Sequence, residues 1–385
     1  MVDPYAWSIS WLERLTSGDR WKLKCTAILF ALSLFFHFPY YNYLAGHVRG
    51  TEINPRWAAF EAQCEHPFTP AQHRAGTHQE KIALRLTVPC LAKVLHLSVT
   101  AVYLLQALLG LLMVAGSLAF CERLARDRVM ALLFTGGLVF TYAGSAAFFD
   151  VWGLLDAFGY FFLFAAIFSR RPAAIALSLF LGGFTDERVL IATPLVLLFH
   201  LSGFGNDAQI AARMRLNGRV LATVGAVLAC LAARYAIGHT FGLSTGTGNI
   251  GIRTFFLELG QTAWGLWSGF EGQWLLVAAF FFALWAMRER ALLIAWLFAF
   301  ALVCGAAVMV WDITRSAAYG FVILFAAFAL LRRNMEAGKL RVLLFFACVV
   351  SLIHPMYFTF GQSRLIPVDP LFIRALHFLK PYVLG

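Results

Sequence analysis

Charge is what this chain has least of. Of its 385 residues only 13% are Asp, Glu, Lys or Arg, about half the share of an ordinary soluble domain. The apolar residues, 61% of the chain, come in blocks, and so much apolar surface needs lipid around it to stay dispersed. Cysteine is present without a pattern: seven residues, with no CxxC and no Cys/His group at metal spacing. Cys25, Cys121, Cys230, Cys304 and Cys348 fall in or beside apolar runs and read as small core residues. Cys64 and Cys90 share one long polar loop, where a disulfide is permitted if the loop is extracytoplasmic. A cleavable signal is missing, because residues 1–22 mix polar and aromatic side chains and the following apolar block lacks a small-residue cleavage site. No repeat of fixed or inverted form stands out. The net charge of +11 does not point to nucleic acid, since no basic stripe is interleaved with aromatics.

What is there is a series of apolar blocks. Near 23–44, 98–120, 129–148, 152–168, 173–185, 189–204, 219–237, 272–287, 291–311, 316–331 and 341–360 they predict an all-α fold, a polytopic transmembrane helix bundle of about eleven spans. Two of them, 173–185 and 189–204, are short and flank the polar cluster Thr185, Asp186, Glu187, Arg188. They read as a helical pair that does not cross fully and meets at a polar tip. With the N-terminus inside, the short loops 1–24, 121–128, 169–172, 205–219, 288–290 and 332–341 hold 18 of the 31 Lys and Arg, as the positive-inside rule requires. Residues 1–22 are then a cytoplasmic segment, 23–360 the bundle, and 361–385 an external tail. Two external loops are expected, 45–97 and 238–271. The first carries apolar residues at helical spacing over 82–95, which predicts an interfacial helix kinked at Pro89.

Because acidic groups are scarce, their positions are informative. Glu52, Glu61, Glu65, Glu80, Asp150, Asp156, Asp186, Glu187, Glu258, Glu271 and Asp312 all fall on the external side or just within it. Ionisable groups at depth usually face a cavity, so several helix ends presenting carboxylates to one face imply a shared polar hollow. Arg188 beside Asp186 and Glu187 is suited to a phosphate, whose oxygens match a guanidinium fork, with Asp186 or Glu187 as catalytic groups that hold a substrate hydroxyl or an ion; a solvated turn with an internal ion pair is the plainer alternative. Asp312 and Arg315 are three apart, hence on one helix face, and read as a second phosphate contact or as a cap with a local ion pair. Asp150 sits at a short turn and Asp156 about one turn into the next span, on the same face as Trp152. They line a site, or cap and brace a helix. Glu52, Glu61 and Glu65 are candidate bases in the first loop. The histidines beside them (His47, His66, His73, His78) admit a divalent metal but show no HxxxH or HExxH spacing.

Over roughly residues 20–335 the layout resembles the GT-C membrane glycosyltransferases, which use polyprenyl-phosphate-linked sugars. The resemblance lies in a first span followed by a long acidic external loop with an interfacial helix, then outer turns carrying Thr185-Asp186-Glu187-Arg188 and Asp312-Ile313-Thr314-Arg315. It implies a catalytic base among Glu52, Glu61 and Glu65, and donor-phosphate contacts at Arg188 and Arg315. The partners implied are a polyprenyl-phosphate-linked sugar, membrane lipid and a glycan or lipid acceptor, at the outer face of a bacterial inner membrane. The chain departs from the family pattern in having no Asp within 45–97. A lipid or solute transporter would use the same cavity without chemistry.

Overall fold

The computed structural model describes residues 4–70, 80, 82–144, 146–204, 216–243, 251–354, 357–360, 364–367 and 370–376. His73, His78 and most of the tail 361–385 lie outside these. The fold is helical, with one short antiparallel pair, Tyr357–Phe360 with Arg364–Pro367, departing from an all-α architecture. Among the described residues five helices are long and apolar enough to cross a membrane, or six if one bent pair counts as a span.

In chain order, α1 (Pro4–Leu15) precedes α2 (Trp21–Phe36) and α3 (Tyr41–Val48). The last two are bent by 87° at Pro39, which disfavours helix in the residue before it. The expected single span 23–44 is therefore broken. In the first long loop, α4 (Pro55–Glu65) starts at Asn54, whose side chain accepts from the Arg56 and Trp57 amides, with proline at the first helical position. The helix expected over 82–95 is confined to α5 (Thr87–Val94). Pro89 falls in its first turn, where no internal amide bond is lost, so it starts the helix without kinking it. Leu84, Leu86 and Val88 are buried, whereas Leu91, Val94 and Leu95 are exposed.

The bundle proper comprises α6 (Val99–Ala125), α7 (Arg128–Val139), α8 (Asp156–Phe168), α9 (Pro172–Gly183), α10 (Glu187–Leu201), α11 (Gly218–Phe241) and α12 (Ile252–Leu257). It continues through α13 (Leu259–Phe270), α14 (Trp274–Ala286), α15 (Arg290–Val308), α16 (Ile313–Ala318), α17 (Val322–Asn334) and α18 (Ala337–Ile353). Helices α9 and α10, with 12 and 15 residues, reach about 18 and 22 Å at 1.5 Å per residue. Both fall short of the ~30 Å hydrocarbon core, as their brevity in the sequence implies.

Helix α16 runs through a 3-10 turn into α17, and every residue from Ile313 to Leu331 is buried. A helix apolar all round belongs in the centre of a bundle. The periphery is the reverse: Leu228, Tyr235, Phe282 and Phe298 are each more than 60% exposed, an apolar surface suited to lipid.

The stretch 259–270 is helical, where a loop was expected. Its glycines and polar residues dilute hydropathy but serve packing. A Cβ at Gly265 would lie 2.7 Å from Ile313 Cβ, and one at Gly269 would lie 3.0 Å from Ala317 Cβ, so α13 approaches α16 on a small-xxx-small face. Further on, a Cβ at Gly272 would fall on the carbonyl oxygen of Ala347. Gly272→Ala should therefore cost about 1–3 kcal/mol through overpacking, read as a lowered midpoint of thermal unfolding in detergent. An unchanged midpoint would mean α18 does not pack there.

Candidate functional site

Three helices begin at one end of the bundle: α8 with Asp156, α10 with Asp186 as its N-cap, and α16 with Asp312 as its N-cap. Carboxylates are favoured at helix N-termini, where backbone amides lack partners. An ionised carboxylate buried without a partner is costly, and for Asp156 and Asp186 the arginines supply the partner.

Asp156, fully buried, is the hub. Its Oδ2 accepts from Arg315 Nε at 2.5 Å, and its Oδ1 from Arg315 Nη2 at 2.9 Å and from Arg188 Nη2 at 2.9 Å. The Tyr142 hydroxyl donates to Oδ2 at 3.3 Å. Arg188 forks onto Asp186, Nε to Oδ1 at 2.8 Å and Nη2 to Oδ2 at 2.6 Å, while the Arg188 amide donates to the same Oδ1. It also reaches Ser316 Oγ at 3.2 Å and lies over the Tyr319 ring, a cation–π contact. Arg85 closes the outer side, pairing with Asp186 at 2.8 Å and with both oxygens of Glu187 at 2.7 and 3.2 Å. Arg315 holds Asp312 at 2.7 Å, and its carbonyl accepts from the Tyr160 hydroxyl. Burial pushes the Asp186 carboxyl upward, but Arg188 and Arg85 outweigh it and hold the group well below the usual carboxylate range.

Six of the sequence candidates thus meet in one network: Asp156, Asp186, Glu187, Arg188, Asp312 and Arg315. Exposure is graded across it. The Asp156, Asp186 and Arg315 side chains are at most 4% exposed, whereas Arg85, Asp312 and Glu187 reach 19, 29 and 39%. The inner members form a sealed ion knot and the outer three form its rim.

Asp150 does not join the ion pairs. Its two oxygens accept from the Trp152 and Leu154 amides, so it braces the turn ahead of α8, and burial raises its pKa. It is not the cap of α8, whose N-cap is Leu155. Nor does Trp152 share a helix face with Asp156: it lies outside the helix, its ring tilted against that of Tyr43 with centroids 4.1 Å apart. The first loop docks against this turn through Trp57, whose indole donates to the Val151 carbonyl at 2.8 Å. Asp312 forms the expected ion pair, but its side chain makes no capping bond.

No ion pair or hydrogen bond among the described residues links Glu52, Glu61 or Glu65 to the knot. Glu61 bonds His47 Nε2 at 3.1 Å and both line a separate cavity of about 430 Å³ with Ser98 and Thr100. The Asn54 amide donates to His47 Nδ1, which leaves Nε2 to donate to the carboxylate. Among the described residues no three His, Cys, Asp or Glu side chains are grouped to hold a metal. Cys64 and Cys90 are free thiols. Burial, then the neighbouring Cys90, pushes the Cys64 thiol up to about 12. Since the thiolate is the nucleophile, Cys64 in the folded chain should alkylate roughly a thousandfold more slowly at pH 8 than after denaturation; equal rates would contradict this packing of the first loop.

One participant in the network was not singled out in the sequence. Arg85 is the cation that ties the first loop to α10, and its signal was a lone charge inside an apolar run. Glu271, expected at an external rim, is instead fully buried at the break between α13 and α14, with φ at 49°. Neither of its carboxylate oxygens has a hydrogen-bond partner among the described residues.

No protein-family profile matches the chain, and neither a curated protein nor a solved structure does.

Proposed function

We propose that this chain is a GT-C-like membrane glycosyltransferase, moving a sugar from a polyprenyl-phosphate donor to a hydroxyl of a glycan or lipid acceptor. The observation that carries the reading is the ion knot. Three guanidiniums, Arg85, Arg188 and Arg315, are gathered on carboxylates at the ends of apolar helices, at the level where a membrane-anchored phosphate would arrive. In this reading the bundle contains eleven apolar segments in a bacterial inner membrane. Its N-terminus is cytoplasmic, and the knot and the C-terminus are external, as the distribution of Lys and Arg implies.

The rim is where a donor enters. Arg85 is the most exposed guanidinium of the three, and its fork suits phosphate as well as carboxylate. A phosphate bound to Arg85 competes with Glu187, the most exposed carboxylate of the knot. Arg315 and Arg188, held by Asp156, fix the helix ends behind Arg85, so that its guanidinium is preorganised to take the departing phosphate once Glu187 is displaced. Asp312 is the proposed base. It lies at the rim, and its ion pair with Arg315 engages Oδ2. In the reaction the acceptor oxygen bonds to the anomeric carbon, the carbon–phosphate-oxygen bond breaks, and its electron pair leaves on the phosphate. The hydroxyl proton passes to Asp312. This assignment moves the base away from Glu52, Glu61 and Glu65.

The test is donor turnover. Purified chain reconstituted with labelled polyprenyl-phosphate-linked sugars should release polyprenyl phosphate as sugar appears on the acceptor. Label crossing vesicles without donor consumption would overturn the transferase reading in favour of a transporter. One observation favours that second reading: Glu271 is a buried acid at a break between two helices, and such breaks hold coupling ions in transporters. If it governs, Glu271→Gln abolishes transport, whereas the transferase reading leaves donor turnover in that variant intact.

A further inference from the structure

At the opposite end of the bundle the same central helix carries a second set of arginines. From Ile313 to Asn334 it has 22 residues, about 33 Å, so its Arg332 and Arg333 sit about 26 Å along the axis from Arg315, at the other end of the bundle. There they meet the end of α6 and the start of α7 around a cavity of about 770 Å³. It is lined by Arg123, Arg126, Arg128, Arg332 and Arg333, together with Glu122 and Leu124.

The charges of this cavity do not cancel. Glu122, its one carboxylate, is already held by Lys22 at 2.6 Å and by Arg128 at 3.6 Å. Arg332 is fixed by two bonds to the Ala125 carbonyl. Arg128 is anchored to the Thr16 and Gly18 carbonyls and lies over the Trp21 ring. These carbonyl bonds position the guanidiniums without neutralising them. Among the described residues the Arg123 and Arg126 side chains make no hydrogen bond or ion pair; the Arg123 guanidinium lies over the Phe120 ring. Arg126 is presented by a left-handed residue at φ 52°, its amide tied to the Glu122 carbonyl at 2.7 Å. The site is thus a concave pocket with an anchored cationic wall and two exposed guanidiniums, a different arrangement from the sealed, carboxylate-filled knot at the other end.

We infer that this cavity binds a phosphate-bearing anion through Arg123 and Arg126, against a wall formed by Arg128 and Arg332. Guanidinium forks match phosphate oxygens in pairs, and a cavity walled by one sign of charge concentrates the opposite ion. Two sources share this chemistry, an anionic lipid headgroup and a soluble phosphate. The place, where apolar helices end, is headgroup level for the first. The nearby α1, with Trp7 and Trp11 exposed, has the aromatic face of an interfacial helix.

The experiment uses the full chain purified in neutral detergent. Native mass spectrometry reads retention of phosphatidic acid against phosphatidylcholine, and thermal unfolding reads the effect of added pyrophosphate. An Arg123→Gln/Arg126→Gln variant is compared with wild type, and Lys339→Gln, on a residue paired only with exposed Glu336, serves as the charge control. The inference predicts selective retention of phosphatidic acid, lowered about tenfold or more in the double variant, which corresponds to losing one charge-assisted contact, and unchanged in Lys339→Gln. A pyrophosphate-induced rise in unfolding temperature that the double variant loses, without lipid selectivity, also supports the site and assigns it to a soluble anion. Equal retention of both lipids with no pyrophosphate effect, or equal loss in Lys339→Gln, overturns it. Turnover of the labelled polyprenyl donor should persist in the Arg123→Gln/Arg126→Gln variant, so failure here is separable from failure of the transferase reading, on which it does not depend.

Discussion

Asp156→Ala is expected to be the most damaging single substitution in this protein. Its carboxylate is fully buried and takes both Arg315 and Arg188. Removing one partner of a buried ion pair typically costs about 3–5 kcal/mol, because the remaining charge is left without compensation. Here two guanidiniums lose a partner at once. Arg188 keeps its fork on Asp186 and Arg315 keeps Asp312, so the cost should lie within that range and not at twice it. The expected result is poor yield and a large fall in thermal unfolding temperature in detergent. Asp312→Asn should fall much less, since that side chain is 29% exposed and partly exposed pairs contribute little. If Asp156→Ala unfolds at the wild-type temperature, the knot does not brace α8 against α10 and α16.

The second large effect is on rate. Asp312→Asn keeps the size of the side chain and removes the proton acceptor. Loss of a general base typically lowers turnover about 10²–10⁴-fold, and the expectation is a fall of that size with insertion, folding and donor binding preserved. Glu61→Gln separates this from the assignment implied by family resemblance. Glu61 is bonded to His47 beside a different cavity, so its variant should retain turnover within a few-fold. The opposite outcome, with Glu61→Gln inactive and Asp312→Asn active, would return the base to the first loop and make the His47 dyad the catalytic centre. Steady-state turnover of a labelled donor, with thermal unfolding recorded in parallel, distinguishes chemical loss from misfolding. Arg315→Ala is a poor test by comparison. Its side chain is 4% exposed and forks onto Asp156, so inactivity would report collapse as readily as chemistry.

Much of this was legible in the sequence, for identifiable reasons. Apolar blocks specify helices wherever backbone amides have no water to bind, and the short pair meeting at Thr185-Asp186 followed from block length. Local charge pairs were readable because three residues put Asp312 and Arg315 on one face, and because Asp186 precedes the amide it caps. What the sequence hid is long-range. Asp156 meets Arg315 across 159 positions and Arg188 across 32, and no local period encodes that. Arg85 looked like one charge on an interfacial helix, yet it sits before the helix and pairs inward. The stretch 259–270 looked like a loop because Gly260, Gly265, Ser268 and Gly269 lower its hydropathy. The same small residues let α13 pack tightly on α16, and Glu271 is buried as a consequence.

Binding of polyprenyl phosphate itself, the proposed leaving group, tests the central claim most directly. Titrated into the purified chain in detergent, it should bind with an affinity that falls about tenfold or more in Arg85→Gln, the value of a charge-assisted contact, and that persists in Arg123→Gln/Arg126→Gln. An affinity indifferent to Arg85, or lost only with the arginines at the far end, would contradict the claim that the Arg85 rim of the ion knot receives a lipid phosphate.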